Sequence, residues 1–286
     1  MFDVRELSRW LGRPVQLVTF ARQGVAWRYC TADRDITVGG HTYLAARGLT
    51  ISEIRDTAER AKNNITITVP YVLDPAAPEL PVTQALGDNW RPFVPSDEVR
   101  VVIMSVHDGD PDAEVHLNWH GHVAQPKYRE ATLDLVCAPG RMARGGWVGR
   151  APRWSRACEV PVYSQGEGMC NLDPAEWAVP ATLAAVSGLT ITAPEFDRAD
   201  GIAWPGGYVE WARADGIVEM RTIKAAAGQT ITLDYGAADL APGLEVIARP
   251  GCPHNWAGCS ARNNTDNYGG CMTMPGKSPF NGFRAV

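Results

Sequence analysis

Asn64-Ile65-Thr66-Ile67-Thr68-Val69-Pro70 is the stretch on which the fold class turns. Ile65, Ile67 and Val69 alternate strictly with Thr66 and Thr68, and a period of two is that of a strand with one buried and one wetter face. The same habit extends outward in both directions. Upstream it predicts strands over Leu17 to Phe20, Ala26 to Thr31, Asp35 to Val38 and His41 to Leu44, the last two joined at Gly39-Gly40, a strong hairpin signal. Downstream it predicts Glu98 to Val106, Val115 to Val123 and Ala131 to Cys137. Helix is credible only at Pro81 to Gly87 and at the extreme N-terminus. With 28 Gly and 21 Pro in 286 residues, punctuation is dense enough to favour short strands and turns. The fold class expected is mainly β.

Past residue 140 the pattern breaks. Arg141 to Asn171 lacks periodicity, holding Gly145, Gly146, Gly149, Trp147, Trp154, Tyr163 and two cysteines, so it reads as a loop-rich segment that needs an external organiser. Strands return as Thr190 to Thr192, Gly207 to Trp211, Gly216 to Ile223, Thr230 to Leu233 and Leu244 to Ile247, enough for a small barrel of about five strands. From Gly251 onward periodicity is lost again, among Gly, Asn, Pro and three cysteines. The expected organisation is an N-terminal β domain over 1–140, a first cysteine segment over 141–172, an inserted small β barrel over 173–250 and a second cysteine segment over 251–286. Two irregular segments flanking one compact module suggest that they meet in space.

Composition narrows the function classes. A hydrophobic fraction of 45% and a charged fraction of 21% belong to a folded globular protein. The net charge of −5 provides no basic field for phosphates, which argues against nucleic-acid specificity. Met1 to Pro14 carries Asp3, Arg5, Glu6 and Arg9 and lacks the apolar core of a signal peptide. No run approaches the roughly 20 apolar residues of a membrane span. Synthesis and assembly in the cytoplasm are therefore expected, and in a reducing compartment seven cysteines are better read as thiolate ligands or buried thiols than as a disulfide framework.

Cys158 and Cys170 lie 12 apart, Cys252 and Cys259 lie 7 apart, and 82 positions separate the pairs. Four sulfurs around one centre can tie irregular backbone together where an apolar core is thin. These pairs are wider than the CxxC of a zinc ribbon, which shifts weight towards an iron-sulfur cluster; several buried thiols packing as small hydrophobes is the plain alternative. Cys271, after Asn267-Tyr268-Gly269-Gly270, is a fifth candidate, with a packed role preferred. Cys30 and Cys137 fall in strand patterns and read as core thiols. His254, inside the Cys252 to Cys259 loop, suits hydrogen bonding around the ligands better than ligation. His116, His120 and His122 form an HxxxHxH run that reads as a polar strand edge, because the sequence offers no third ligand. GxSxG, HExxH, P-loop and post-strand GxGxxG patterns are missing, so no enzyme is expected.

Trp154 to Tyr163 (WSRACEVPVY), Gly168-Met169-Cys170, Pro250-Gly251-Cys252, Cys259, Arg262-Asn263-Asn264, Asn267 to Gly270 and Pro275-Gly276 together resemble the C-terminal signature of the tail hub proteins of siphophages and gene transfer agents, a family similar in plan to the lambda tail tip protein L. Thr31-Ala32-Asp33 and Gly39-Gly40 with Tyr43 to Ala46 resemble the start of the same family. The resemblance implies a structural component of the virion tail tip, assembled in the host cytoplasm as a homotrimeric ring. It also implies a [4Fe-4S] cluster whose ligands fall on Cys158, Cys170, Cys252 and Cys259. Cys271 stands where the family has a non-cysteine residue. The partners implied are the distal tail protein, the central hub or tail fibre protein and the tape measure protein. Two other classes compete: a zinc-stapled binding module and a tail-associated cell-wall hydrolase.

Overall fold

The structure, a computed structural model, describes residues 2–8, 12–55, 63–112, 114–140 and 155–274. The sequence readings on Arg141, Gly145, Gly146, Trp147, Gly149, Trp154, Pro275 and Gly276 lie outside these residues. The chain divides into two compact units, the first of residues 1–145 with 214–217 and the second of 146–213 with 218–286. Among the described residues no helix is long and apolar enough to cross a membrane.

The first unit holds β1 (Pro14–Arg22), β2 (Val25–Cys30), β3 (Ile36–Val38), β4 (His41–Ala45), β5 (Thr50–Ile51), β6 (Ile65–Pro70), β7 (Arg100–His107), β8 (His116–Tyr128) and β9 (Thr132–Pro139). They form one sheet in the order β3-β4-β2-β1-β7-β8-β9-β6-β5. Neighbours are antiparallel except β2 and β4, which run parallel. Strand β6 behaves as its alternation requires: Ile65, Ile67 and Val69 are buried while Thr66 and Thr68 are half-buried. It pairs with β9, Ile67 opposite Leu135 and Thr68 opposite Asp134. The Thr68 hydroxyl donates to Asp134 Oδ1 at 2.7 Å.

Strand parity splits the apolar residues between two faces. Val18 and Phe20 of β1 join Tyr29, Ile67, Ile103, Leu133 and Leu135 in the main core, whereas Val15 and Leu17 join Cys30, Tyr43 and Val106 in a smaller cluster. Each large side chain taken out of water contributes about 1.5–3 kcal/mol before entropy is counted. The expected helix forms over Gln84–Gly87 and continues as a 3-10 turn, Asp88–Trp90. The Tyr71 hydroxyl donates to Asp88 Oδ1 and the Tyr128 hydroxyl to Gly87 O, both at 2.8 Å. A Cβ at Gly87 would lie 2.3 Å from the Tyr71 ring, so this close seat needs glycine. The N-terminal helix covers Phe2–Glu6.

The second unit contains β10 (Val179–Thr182), β11 (Ala185–Ser187), β12 (Thr190–Thr192), β13 (Tyr208–Ala212), β14 (Val218–Ala227), β15 (Thr230–Leu233) and β16 (Glu245–Arg249). Their order is β10-β16-β13-β14-β15-β12-β11. Seven strands replace the five expected. The two additional ones, VPAT and AVS, are too short to show a period, and Pro180 argues against a strand unless it lies at an edge, where it does lie. Only Leu183 and Ala184 separate β10 at one end of the order from β11 at the other. Leu183 N donates to Leu244 O at 3.0 Å and Ala184 N to Thr192 O at 2.8 Å, so consecutive amides bond to opposite ends of the sheet. The sheet therefore curls back on itself around Ile191, Val209, Trp211, Ile223, Ile231, Leu233 and Val246.

Ile67→Ala is expected to cost about 2–5 kcal/mol, because the buried side chain leaves a cavity between β6 and β9. Thr66→Ala, on the opposite face, should stay within about 0.5 kcal/mol. Urea denaturation of the two variants beside the parent checks the contrast, and equal losses would refute the assigned faces.

Candidate metal centre

The four expected ligands come from two irregular stretches of the second unit. Cys158 and Cys170 lie in coil, Cys252 follows β16, and Cys259 sits in a short helix over Trp256–Ser260. The N-cap of this helix is Asn255, whose side-chain oxygen accepts from Gly258 N at 2.8 Å. The two stretches are stitched by polar bonds, since neither has periodic apolar residues to pack. Cys158 N donates to His254 O at 2.8 Å, and the Tyr163 hydroxyl donates to Pro250 O at 2.7 Å. The Asn264 amide donates to Cys170 O at 2.6 Å.

The loop bearing Cys252 is seated on the barrel by a glycine crossing. A Cβ at Gly251 would lie 1.9 Å from Pro205 O, and one at Gly207 would lie 2.0 Å from Arg249 O. Neither position accepts any side chain. Backbone turning is concentrated in the same region. Of the five non-glycine residues with positive φ among the described residues, Tyr163, Asn171, His254 and Asn263 belong to these two stretches. Such conformations cost energy and cluster at functional sites.

Their result is a cavity of about 20 Å³ whose wall includes all four cysteines, with Val160, Val162, Leu172, Asn255, Arg262, Asn264, Asn267 and Tyr268. Three of the sulfurs face N–H donors. Gly269 N lies 3.4 Å from Cys158 Sγ, His254 N 3.4 Å from Cys252 Sγ, and Asn264 Nδ2 3.6 Å from Cys170 Sγ. The Cys259 thiol donates to Asn264 O at 2.9 Å, a bond that lapses once the thiol loses its proton. Burial pushes the Cys259 pKa up, Cys252, Cys158 and Cys170 push the same way, and the Arg262 guanidinium pulls it down. Among the described residues, however, no three His, Cys, Asp or Glu side chains form a group able to hold one metal ion. The donor set is all sulfur and suits a thiophilic centre, either a cluster or a zinc ion. A larger hollow of about 540 Å³, lined by Pro180, Glu195, Glu210, Val218, Glu245 and Ile247 among others, lies on the barrel and includes no cysteine.

The remaining candidates stand apart from the cavity. Cys271 is half-buried, its Sγ 3.6 Å from Thr273 Oγ1. His254 acts through its backbone, with the N–H on Cys252 Sγ and the carbonyl on Cys158 N. Cys30 and Cys137 are fully buried in the first unit, where burial pushes the Cys137 thiol up to about 12. His116 and His120 are exposed on β8 and His122 is half-buried there. Sequence reasoning missed Asn264, Gly269 and Arg262 as site residues; the Arg262-Asn263-Asn264 and Gly269-Gly270 strings were visible, but no spacing rule gives such residues a role.

Residues 16–134 match the family described as baseplate hub protein, N-terminal attachment domain, and residues 203–278 match the family described as phage conserved hypothetical protein BR0599. A protein of Xylella fastidiosa (strain 9a5c), described as uncharacterized, is 44% identical over 197 residues, 68% of this chain, and the match takes in 40% of that protein's own length. Among solved structures, a chain of the virion of native gene transfer agent particle has the same fold, with a TM-score of 0.69 over 96% of this chain and 92% of that one, at 17% identity. The two family matches cover separate parts of the chain, and neither spans half of it.

Asn264→Ala removes the amide that ties Cys170 to the second stretch, and it should lower stability in urea denaturation by about 1–3 kcal/mol. Cys271→Ser, outside the cavity, should change it by less than about 0.5 kcal/mol.

Proposed function

We propose that this chain is a structural tail hub component of a phage or phage-like particle, resident at the tail tip of the virion, in which Cys158, Cys170, Cys252 and Cys259 hold a [4Fe-4S] cluster. The observation that carries the reading is the convergence of four sulfurs, from stretches 82 positions apart in sequence, on one cavity. The baseplate hub attachment domain over 16–134 supports the hub assignment. Under this reading the centre is a staple. When bound, the cluster supplies four metal–sulfur bonds that fix both irregular stretches to the barrel inserted between them, so that loading and folding are coupled. The residues of the chain position the thiols and turn N–H groups towards them, and they bring no nucleophile paired with a base.

The first unit serves as the attachment domain, and the assembly is a homotrimeric ring between the distal tail protein and the central hub or fibre protein, with the tape measure protein also in contact. The chain is not an enzyme. A single zinc ion is the second reading, favoured by the small cavity volume of about 20 Å³, roughly the room of one water. The wide loops favour the cluster.

Anaerobically purified protein is expected to be brown and to contain iron and acid-labile sulfide in equal amounts. Each of Cys158→Ser, Cys170→Ser, Cys252→Ser and Cys259→Ser should strip the iron, while Cys30→Ser, Cys137→Ser and Cys271→Ser should retain it. Colourless protein with stoichiometric zinc would replace the cluster by the second reading. Iron that survives Cys158→Ser and vanishes with Cys271→Ser would overturn the ligand set.

A further inference from the structure

Arg262 stands out in the wall of the cysteine cavity. It is the one cationic side chain there, and no carboxylate shares the wall with it. Only 6% of the residue is exposed. Its Nη1 donates to Gly258 O at 3.0 Å and its Nη2 to Gly251 O, while the guanidinium lies over the Trp177 ring, 5.4 Å from the centroid. Its Nε is buried without a hydrogen-bond partner. Two carbonyls and a ring face satisfy donors, but they do not neutralise a charge. A buried cation is strongly unfavourable unless an anion lies close by, and the most acidic groups in the wall are the four thiols, since the Tyr268 phenol is a weaker acid whose hydroxyl already donates to Arg156 O.

We propose that Arg262 is the built-in counter-cation of the four-thiolate centre, compensating the negative charge that the ligated sulfurs carry and setting the electrostatic potential at the cluster. The inference rests on the cluster reading of Cys158, Cys170, Cys252 and Cys259. It explains why a guanidinium is used where a loop brace alone would need only neutral donors. Through its Nη groups Arg262 holds the carbonyls of Gly251 and Gly258, which flank Cys252 and Cys259, so its charge is fixed relative to the pair of ligands on the second stretch. Removing charge at this place should make the centre harder to reduce and easier to lose, because nearby charge tunes iron–sulfur potentials and supporting residues tune metal retention.

The test uses the full chain, reconstituted anaerobically with ferrous iron and sulfide, as parent, Arg262→Lys and Arg262→Gln. Iron and sulfide per chain, the midpoint potential of the visible spectrum and the rate of iron loss to a chelator are measured for each. Arg262→Lys, which keeps the charge, should hold the parent's potential. Arg262→Gln, which keeps a neutral donor, should shift the potential to a more negative value and lose iron at least about tenfold faster. Parent-like potential and retention in Arg262→Gln would overturn the proposal, as would equal damage in both variants, which is the signature of a loop brace. Should Arg262→Gln not fold, Arg262→Lys decides alone: an unchanged potential supports the counter-cation and a shifted one sinks it. A parent protein that takes up no iron and sulfide is a separate outcome that removes the cluster reading itself.

Discussion

The crossing of two glycines, Gly207 and Gly251, is the constraint on which the second unit depends. Backbone passes so close to backbone there that a methyl group would sit about 2 Å from a carbonyl oxygen on either side. Gly251 N and Gly207 N both donate to Trp204 O, at 3.1 and 2.9 Å, so a single carbonyl anchors both chains of the crossing. The next residue after Gly251 is Cys252. A cysteine loop with no packing core of its own is thereby tied to a barrel that has one. The first stretch is bonded to the second in turn, through Cys158 with His254, Tyr163 with Pro250 and Cys170 with Asn264.

Polar bonding takes the place of apolar burial across the site. Stretches rich in Gly, Asn and Pro bury little surface, and the left-handed residues Tyr163, Asn171, His254 and Asn263 add conformational cost. The hydrogen bonds between the two stretches offset part of that cost. The barrel, by contrast, keeps an apolar interior and takes in a buried ion pair. Glu219 and Arg221 face inward from β14 with Oε2 and Nη1 2.9 Å apart, and Arg221 lies over the Tyr235 ring at 4.2 Å.

That pair marks the limit of what the sequence could say. Where one face of a strand is apolar, alternation locates it, and β6, β7, β12 and β15 were all readable for this reason. Glu219 and Arg221 invert the rule, because opposite charges two residues apart on one face neutralise each other indoors, an arrangement that alternation assigns to solvent. The short strands β10 and β11 carry too few residues to show a period, and their place is fixed by partners more than 50 positions away in β16 or close by in β12. At the site, the cysteines were legible as a set because sulfur chemistry is narrow. Asn264, Gly269 and Arg262 were not, since an amide, a glycine and a cation acquire meaning only from what folding sets beside them.

The curl of the barrel sheet has a consequence for how the second unit meets other chains. An open sheet ends in rows of unpaired N–H and C=O groups that can pair with another copy. Here Leu183 and Ala184 join the two ends of the order, and the strands with a free flank shrink to Val179–Thr182 and Ala185–Ser187, four and three residues long. Pro180 further removes a donor from the first of them. The barrel therefore offers very little backbone on which a second copy could polymerise, and any contact it makes falls to its side chains.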